Sequence, residues 1–301
     1  MQVTSLHDRC EHIVPLRLKR SNLSPRREGE RFVTQRIVSI CPSNTELLHA
    51  LGLMDRVVGV DDYSDWPTEW VRDLPKLGPD LNIDMEKLQA LKPDLIIASL
   101  SVPGMEKNIE RLEALHLNYL VLDPKSFEDI YRDVETLGKA CGVEDRAAEV
   151  IAELRGRVTR VVEAVQARNS TTELKLYWEW WPRPLISPGS LNWLTELSRL
   201  VGAQNLFADK PGDSYTAEHE EVISRAPDFV FAVWCGVHAD KVKPSMITER
   251  PGWDTVPAVV QDRVYVLEEG LYCRPSQRLF DGLEDLARLL YPDIQLQRTH
   301  P

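Results

Sequence analysis

The sequence predicts an α/β fold of two Rossmann-like lobes joined by one long, rigid α-helix, with a ligand cleft between the lobes. Three observations lead to this prediction. Short apolar, β-branched runs alternate with helical patterns from residue 36 onward, which is typical of parallel sheets. Residues 143–169 keep a helical spacing of apolar residues without an internal proline. The same pattern of a helix, a Pro-Asp pair and a strand occurs once on each side of that segment.

The first lobe is predicted to span residues 36–142. Its predicted strands are 37–40, 57–60, 95–98 and 119–122, and its predicted helices begin at Ser43, Asp84, Gly104 and Ser126. Ser43 with Glu46, and Ser126 with Asp129, have the spacing of helix N-terminal caps. Gly52 and Gly142 mark helix ends.

Residues 143–169 predict the linking helix and residues 170–301 the second lobe. A helix of that length would be about 35 Å long, enough to bridge two lobes. The second lobe repeats the alternation, with predicted strands 174–180, 229–234 and 264–267 and helices from Ser190, Thr216 and Ser276. Residues 1–35 are polar and aperiodic and are expected to form a flexible N-terminal arm.

An internal repeat supports two related lobes. Residues 84–99 and 218–233 both read as a helix, a Pro-Asp turn and a buried strand. Glu86 and Glu220 stand at the same offset before the two prolines. The recurrence predicts pseudo-symmetric lobes, and the cleft between them at the strand ends is the expected ligand site.

Charge and hydropathy exclude several classes of function. The chain has 36 Lys+Arg against 47 Asp+Glu and a net charge of −11, which disfavours binding to nucleic acid. Its apolar runs are far shorter than the about 20 residues of a membrane span, so a membrane-spanning protein is not expected. Residues 1–35 contain no apolar core of a signal peptide and no lipobox, which predicts no export signal in this chain.

The cysteines of the chain form no recognisable motif. The five cysteines, Cys10, Cys41, Cys141, Cys235 and Cys273, include no CxxC pair, so neither a disulfide framework nor a zinc ribbon is predicted.

Cys235 and His238 follow a predicted strand and offer a thiol and an imidazole to a soft metal or a cobalt ion. The same pattern is typical of a strand-end thiol beside a surface histidine, and no metal site is predicted. No nucleotide-binding, hydrolase or zinc-protease motif occurs, so we predict a non-catalytic protein without a catalytic cofactor.

Four motifs carry a family resemblance over about residues 36–291. They are 36–46 (RIVSICPSNTE), 57–67 (VVGVDDYSDWP), 88–97 (LQALKPDLII) and 202–207 (GAQNLF). With the long linking helix and the Glu220 helix, they resemble the helical-backbone class of ABC-transporter solute-binding proteins, in particular vitamin B12 (cobalamin)-binding proteins and their ferric-siderophore relatives. The resemblance implies a protein that binds cobalamin or a related corrinoid and delivers it to the transmembrane subunits of an ABC permease. It also implies that Glu86 and Glu220 dock onto permease arginines.

Aromatic residues at predicted strand ends are the candidate ligand contacts, because aromatic faces bury large areas against a planar ligand. The predicted ligand-binding residues are Tyr63, Trp66, Trp180, Trp181, Tyr215, Trp234, Tyr272 and Arg274. Tyr63 and Arg274 match pocket positions of the family. Strand alternation places Trp178 and Trp180 on one face and Trp181 on the other, so one of these faces is expected in the core. Residues 78–82 lack the aromatic that enterobacterial B12 proteins carry there.

Two alternatives stay open at this point. One is a ferric-siderophore or haem-binding protein of the same fold, and the other is a cytosolic cofactor-handling protein or enzyme that reuses it. The resemblance implies a periplasmic or other extracytoplasmic location, whereas the missing export signal favours the cytoplasm.

Overall fold

The computed structural model describes residues 34–168 and 173–296. Most of the predicted N-terminal arm lies outside these residues. Thr34 is buried and its hydroxyl donates to the carbonyl of Ala140 at 2.9 Å. The described fold therefore begins slightly before the predicted boundary at residue 36.

The first lobe is built on a parallel sheet with the strand order β2-β1-β3-β4. Its strands are β1 (Ile37–Ser39), β2 (Val57–Val60), β3 (Leu95–Ser99) and β4 (Tyr119–Leu122). Its helices are α1 (Pro42–Ala50), α2 (Thr68–Val71), α3 (Met85–Ala90), α4 (Glu106–Ala114) and α5 (Phe127–Cys141). The central strands β1 and β3 are buried along their whole length, as expected where helices cover both faces of a parallel sheet.

Of the two cap pairs predicted from their spacing, one is confirmed and one is wrong. Ser126 caps α5: its hydroxyl accepts from the backbone N–H of Asp129 at 3.1 Å and donates to the Asp129 carboxylate at 2.6 Å. The cap of α1 is Cys41, not Ser43, because Pro42 occupies the first helical turn, where its missing N–H costs nothing. Glu46 therefore takes no part in capping α1, and its carboxylate contacts the second lobe.

The long helix α6 (Glu144–Gln166) has 23 residues and follows the predicted linking segment. Its buried Arg157 binds the C-terminal helix through Glu284 at 2.8 Å and Asp281 at 2.5 Å. On the other side, Arg155 binds Glu128 of α5 at 2.8 Å. The helix is therefore anchored to elements of both lobes.

The second lobe holds a parallel sheet with the order β11-β10-β5-β8 and a small antiparallel sheet with the order β6-β7-β9. The strands are β5 (Leu174–Glu179), β6 (Trp181–Pro182), β7 (Leu185–Pro188), β8 (Ala203–Asn205), β9 (Ser214–Ala217), β10 (Phe229–Ala232) and β11 (Val264–Val266). The helices are α7 (Trp193–Leu200), α8 (His219–Arg225), α9 (Ser245–Thr248), α10 (Pro257–Val260), α11 (Glu269–Tyr272) and α12 (Arg278–Leu290).

The antiparallel sheet was not predicted, and it shifts two helix starts. The predicted helix from Thr216 begins at His219, because Thr216 lies in β9 and pairs with Ile186. The predicted helix from Ser190 begins at Trp193, where the Asn192 side chain accepts from the N–H of Leu194 at 2.8 Å. Strands this short carry too few residues to show an alternating pattern.

The internal repeat is confirmed at the level of hydrogen bonds. In the first lobe, the carboxylate of Asp94 accepts from the backbone N–H of Arg36, directly before β1, at 3.2 Å. In the second lobe, the carboxylate of Asp228 accepts from the N–H of Lys175 in β5 at 2.8 Å. Each Pro-Asp turn thus pins its strand to the neighbouring strand of the same sheet.

The largest apolar cluster runs without interruption from the first sheet through α5, α6 and α12 to the second sheet. Phe127 of α5 packs edge-on against Phe280 of α12, with ring centroids 4.9 Å apart. Close-packed interiors transmit strain and resist deformation. A continuous core at the linking helix therefore limits hinge motion between the lobes.

Asp133 on α5 should destabilise the protein at neutral pH. Its Oδ2 atom is buried and has no hydrogen-bond partner in the described chain, and burial raises its pKa to about 7. Because the pKa is higher in the folded state, stability falls as the pH rises from about 4 to about 7 and stays lower above that. We expect Asp133→Asn to raise the free energy of unfolding by about 1 kcal/mol at pH 8 and to change it little at pH 4.

Urea unfolding at both pH values measures this difference. Exposed Asp240 provides the control variant, Asp240→Asn. An equal gain for Asp133→Asn at pH 4 and pH 8 would show that the carboxyl does not titrate in this range.

Candidate functional site: the cleft between the lobes

Exposed apolar side chains gather at the carboxyl ends of the strands in both lobes. In the first lobe, Tyr63 follows β2 and is 49% exposed, and Leu100 and Val102 follow β3. In the second lobe, Trp181 lies just after β5 and is 40% exposed, and Leu191 lies in the loop after β7. Loops at the carboxyl ends of parallel strands are where α/β proteins bind ligands. These residues are the apolar walls of the candidate site.

The loop that carries Tyr63 is shaped by a buried carboxylate. Asp61 accepts from the backbone N–H groups of Tyr63 at 2.8 Å and Ser64 at 3.1 Å, and from the Ser64 hydroxyl at 2.6 Å. Burial outweighs these bonds and raises the pKa of Asp61 to about 6. The Asp61 contacts hold the turn in which the Tyr63 ring stands exposed.

Trp181 is presented by the β6–β7 hairpin. Its indole N–H donates to the carbonyl of Arg183 in the same hairpin at 3.1 Å, and its backbone pairs with Ile186. The polar edge of the ring is thus satisfied within the hairpin, while much of the ring is exposed. This arrangement suits contact with an apolar ligand face.

Arg274 joins the lobes through a network of ion pairs. Its guanidinium lies 2.6 Å from Asp65 and 3.1 Å from Glu46 of the first lobe, and 3.0 Å from Glu269 of its own lobe. Although burial acts against the charged form, Asp65, Glu269 and Glu46 raise the pKa of Arg274. The predicted cationic ligand contact is therefore already engaged by three carboxylates.

Glu46 is the buried centre of this network. Ser276 donates to one of its carboxylate oxygens, and Arg278 lies 3.2 Å from the other. Burial raises the pKa of Glu46 to about 6 against the opposing effect of Arg274 and Arg278. A second contact between the lobes joins Lys125 to Asp213 at 2.8 Å. A third joins the carboxylate of Glu196 to the backbone N–H of Phe127 at 2.8 Å, so charged side chains tie the lobes at several places.

Acidic groups surround Arg274 in the cleft. Asp80 is partly buried, and burial together with the charge of Glu269 raises its pKa. Asp80 also lies in the segment 78–82, which lacks the expected family aromatic. Asp65, Glu269 and Asp80 together give the surroundings of Arg274, which form the floor of the candidate cleft, an acidic character.

Three predicted ligand-binding residues make their contacts within the second lobe. Tyr272 is a core residue whose ring packs on Trp178 and whose hydroxyl donates to the carbonyl of Gly282 at 3.0 Å. Trp234 is buried and donates to Glu179 at 3.0 Å. Tyr215, on β9, donates to Glu221 at 2.8 Å. Tyr272 and Trp234 present almost no surface to the cleft, because each fills the interior of the second lobe.

Trp180 and Trp66 are half-buried. Trp180 packs against Trp193 with ring centroids 5.6 Å apart, and its indole N–H has no partner among the described residues. Trp66 is packed by His49, at 4.8 Å between ring centroids, and by the guanidinium of Arg278 at 5.0 Å. Trp66 lines a groove of about 580 Å³ between α1, α6 and α12, on the side of the linking helix. Neither Tyr63 nor Trp181 lines this groove.

Glu86 and Glu220 occupy equivalent positions in the two lobes. Each is exposed and is the second residue of a short helix, α3 or α8, that leads through a Pro-Asp turn into a buried strand. Neither side chain makes an ion pair or hydrogen bond to another described residue. They form a symmetric pair of unpaired carboxylates on the surface.

Sequence reasoning missed Glu46 and the exposed leucines. Glu46 was read as part of a helix cap, and its partners Arg274, Ser276 and Arg278 lie more than two hundred positions away, so no local pattern could reveal them. Leu100 and Leu191 were detectable only as apolar residues directly after predicted strands.

The part of the chain that the structure describes offers no metal centre. No three His, Cys, Asp or Glu side chains within residues 34–168 and 173–296 are grouped to hold an ion. His238 is exposed. Among the described helices, none is both long and apolar enough to cross a lipid bilayer.

Two α/β lobes joined by one long helix, with exposed aromatic and aliphatic side chains in the loops after their strands, are typical of a ligand-binding protein. The chain belongs to the periplasmic binding protein family, whose sequence model matches residues 37–271. This confirms the resemblance to ABC-transporter solute-binding proteins. Proteins of this family bind substrates without transforming them, so the chain is not an enzyme, and the enzyme alternative is wrong.

Proteins that bind different ligands share this fold. The chain is 32% identical, over 86% of its length and 81% of the relative, to YvrC, an uncharacterized ABC transporter substrate-binding lipoprotein of Bacillus subtilis. The periplasmic vitamin B12-binding protein BtuF of Vibrio cholerae is 25% identical, with a TM-score of 0.71 over 86% of this chain and 98% of that one. A periplasmic haem-binding protein of Pseudomonas aeruginosa is 24% identical, with a TM-score of 0.77 over 89% and 96%.

Proposed function

We propose that this protein binds cobalamin or a related corrinoid between its lobes and delivers it to an ABC permease outside the cytoplasm. The observation that carries the choice of ligand is the combination of exposed apolar walls with an acidic floor. Tyr63 and Trp181 offer ring faces from opposite lobes. A corrin ring is large, mostly apolar on its faces and edged by uncharged amides.

The charges of the cleft disfavour anionic ligands. Haem carries two propionate carboxylates, which require cationic or strong hydrogen-bond donors. Here Arg274 is already bound to Asp65, Glu46 and Glu269, and Asp80 adds a further acidic group nearby. Like charges brought together in a partly buried cleft repel one another. Corrinoid amides, in contrast, donate hydrogen bonds to carboxylates.

Titration with four ligands tests this proposal. Isothermal calorimetry should show one equivalent of cyanocobalamin or cobinamide bound with micromolar or tighter affinity. Haemin and a ferric hydroxamate, titrated identically, should show no saturable binding. Saturable binding of haemin or the hydroxamate, with no response to either corrinoid, would assign the cleft to that ligand instead.

Trp181→Ala should weaken corrinoid binding about 10- to 100-fold, the range expected when a buried aromatic anchor is truncated. The substitution removes the ring area that the ligand would cover on binding. The indole N–H donates within its own hairpin, so its removal breaks no hydrogen bond to another element. Calorimetric dissociation constants measure the effect.

The control is Trp70→Ala, because Trp70 is 46% exposed but lies on helix α2. We expect its affinity to match that of the parent protein. Equal losses in Trp181→Ala and Trp70→Ala would mean that the ligand does not contact the β6–β7 hairpin specifically.

A further inference from the structure

Two free thiols meet at the rim of the second lobe. The Sγ atoms of Cys235, three residues after the end of β10, and Cys273, directly after α11, lie 3.3 Å apart. Cys235 is exposed, whereas Cys273 is partly buried. Desolvation raises the pKa of the Cys273 thiol well above its usual value, and the thiol donates to the carbonyl of Val233 at 3.2 Å. Their separation along the chain is long, so the fold, and not a local motif, brings them together.

The two sulfurs lack the further ligands of a metal site, but they are close enough to form a disulfide. No group of three metal-ligating side chains occurs in the described chain, and His238 is exposed on the same loop. Two sulfurs in contact, one of them open to solvent, fit the requirements of thiol–disulfide exchange. The other described cysteines, Cys41 and Cys141, are both buried, so neither is open to attack on an external disulfide.

We propose that Cys235 and Cys273 form a reversible disulfide, with Cys235 as the attacking thiol and Cys273 as the resolving thiol. The Cys235 thiolate attacks one sulfur of an external disulfide, forms a mixed disulfide and releases the first external thiol. The Cys273 thiolate then attacks the Cys235 sulfur, closes the internal bond and releases the second external thiol. The protein loses two protons and two electrons, and one external disulfide becomes two thiols.

This bond would act on the ligand cleft. It joins the loop after β10 to the residue beside Arg274, which holds Asp65 and Glu46 of the first lobe. Disulfides persist in oxidising compartments outside the cytoplasm. The inference is independent of the identity of the ligand, because it concerns the free protein.

Oxidised glutathione is the probe that tests the dithiol. The full chain with Cys10→Ser, reduced and then exchanged into glutathione buffers of graded ratio, is quenched with alkylating reagent and mapped by mass spectrometry. We expect a cross-linked peptide pair containing Cys235 and Cys273, with Cys41 and Cys141 still alkylated as thiols after unfolding. Reduction with dithiothreitol should restore both thiols.

Two single variants separate the roles of the sulfurs. Cys273→Ser should leave a stable mixed disulfide with glutathione at Cys235, and Cys235→Ser should leave Cys273 largely unmodified because its thiol is partly buried and its pKa is raised. A persistent glutathione adduct at Cys235 in the parent protein, without the internal bond, would overturn the proposal. So would an unmodified Cys235 in strongly oxidising buffer.

Discussion

Arg274→Met should lower the free energy of unfolding by about 3 to 5 kcal/mol at pH 8, the cost of breaking a buried ion pair by removing one partner. Arg274 is largely buried and faces carboxylates of both lobes. Methionine keeps most of the side-chain volume but removes the charge. Glu46, Asp65 and Glu269 would then face one another without their common cation.

The loss should depend on pH in a defined direction. Arg274 lowers the pKa of Glu46, which burial otherwise raises, and the balance is a pKa of about 6. Without Arg274 the pKa of this carboxyl rises further in the folded state. A raised folded-state pKa means that stability is lost as the pH rises through it. The variant should therefore be closest to the parent at pH 5 and furthest from it at pH 8.

Urea unfolding at pH 5 and pH 8 measures both effects, and small-angle scattering at pH 8 reports whether the lobes separate. Arg72→Met is the control, since Arg72 is exposed and pairs only with exposed Asp73 at 3.5 Å. Such surface pairs contribute about 0 to 1 kcal/mol. A similarly small loss in Arg274→Met would show that the ion pairs between the lobes are not what holds them together.

Local patterns predicted the parts of this fold that local interactions determine. Ser126 with Asp129 marks a helix start because both partners lie within one turn. The long apolar period of residues 144–166 marks the linking helix for the same reason. Pro42 shows the limit, because one residue moved the cap of α1 from Ser43 to Cys41.

The candidate site depended on contacts that no spacing reveals. Strand alternation separates the two faces of β5 but does not say which face meets the core, and both do, since Tyr177 and Trp178 are each fully buried. Tyr272 and Arg274 are two positions apart, yet one fills the interior and the other spans the cleft. Family resemblance pointed to the loops after the strands, whereas the direction of each side chain required the packed structure.

Reversing both surface carboxylates, with Glu86→Lys and Glu220→Lys together, should abolish ligand delivery while leaving ligand binding intact. We propose that this symmetric pair docks onto cationic pockets of the permease. Removing one partner of an interfacial charge pair costs about 2 to 5 kcal/mol, so two reversals should weaken docking by more than about 100-fold. Because neither carboxylate pairs with a described residue, the fold itself should tolerate the change.

The measurement pairs two readouts on the same variant. Calorimetry gives the ligand dissociation constant, and uptake into vesicles that contain the cognate permease gives delivery. Glu110→Lys with Glu163→Lys is the matched control, because both residues are exposed and the change in net charge is identical. The two double variants then differ only in where the two substitutions lie.

The fixed spacing of Glu86 and Glu220 is the reason to expect this result. Glu86 and Glu220 sit at the same helical position in two lobes that the continuous core around α6 holds together. A rigid spacing between two carboxylates selects a partner with two cationic sites at a matching spacing, so orientation is set along with attraction. Either single reversal should then impair delivery strongly, since one remaining contact no longer fixes the orientation of the cleft over the permease. Uptake by the Glu86/Glu220 double variant equal to that of the control would place the docking surface elsewhere.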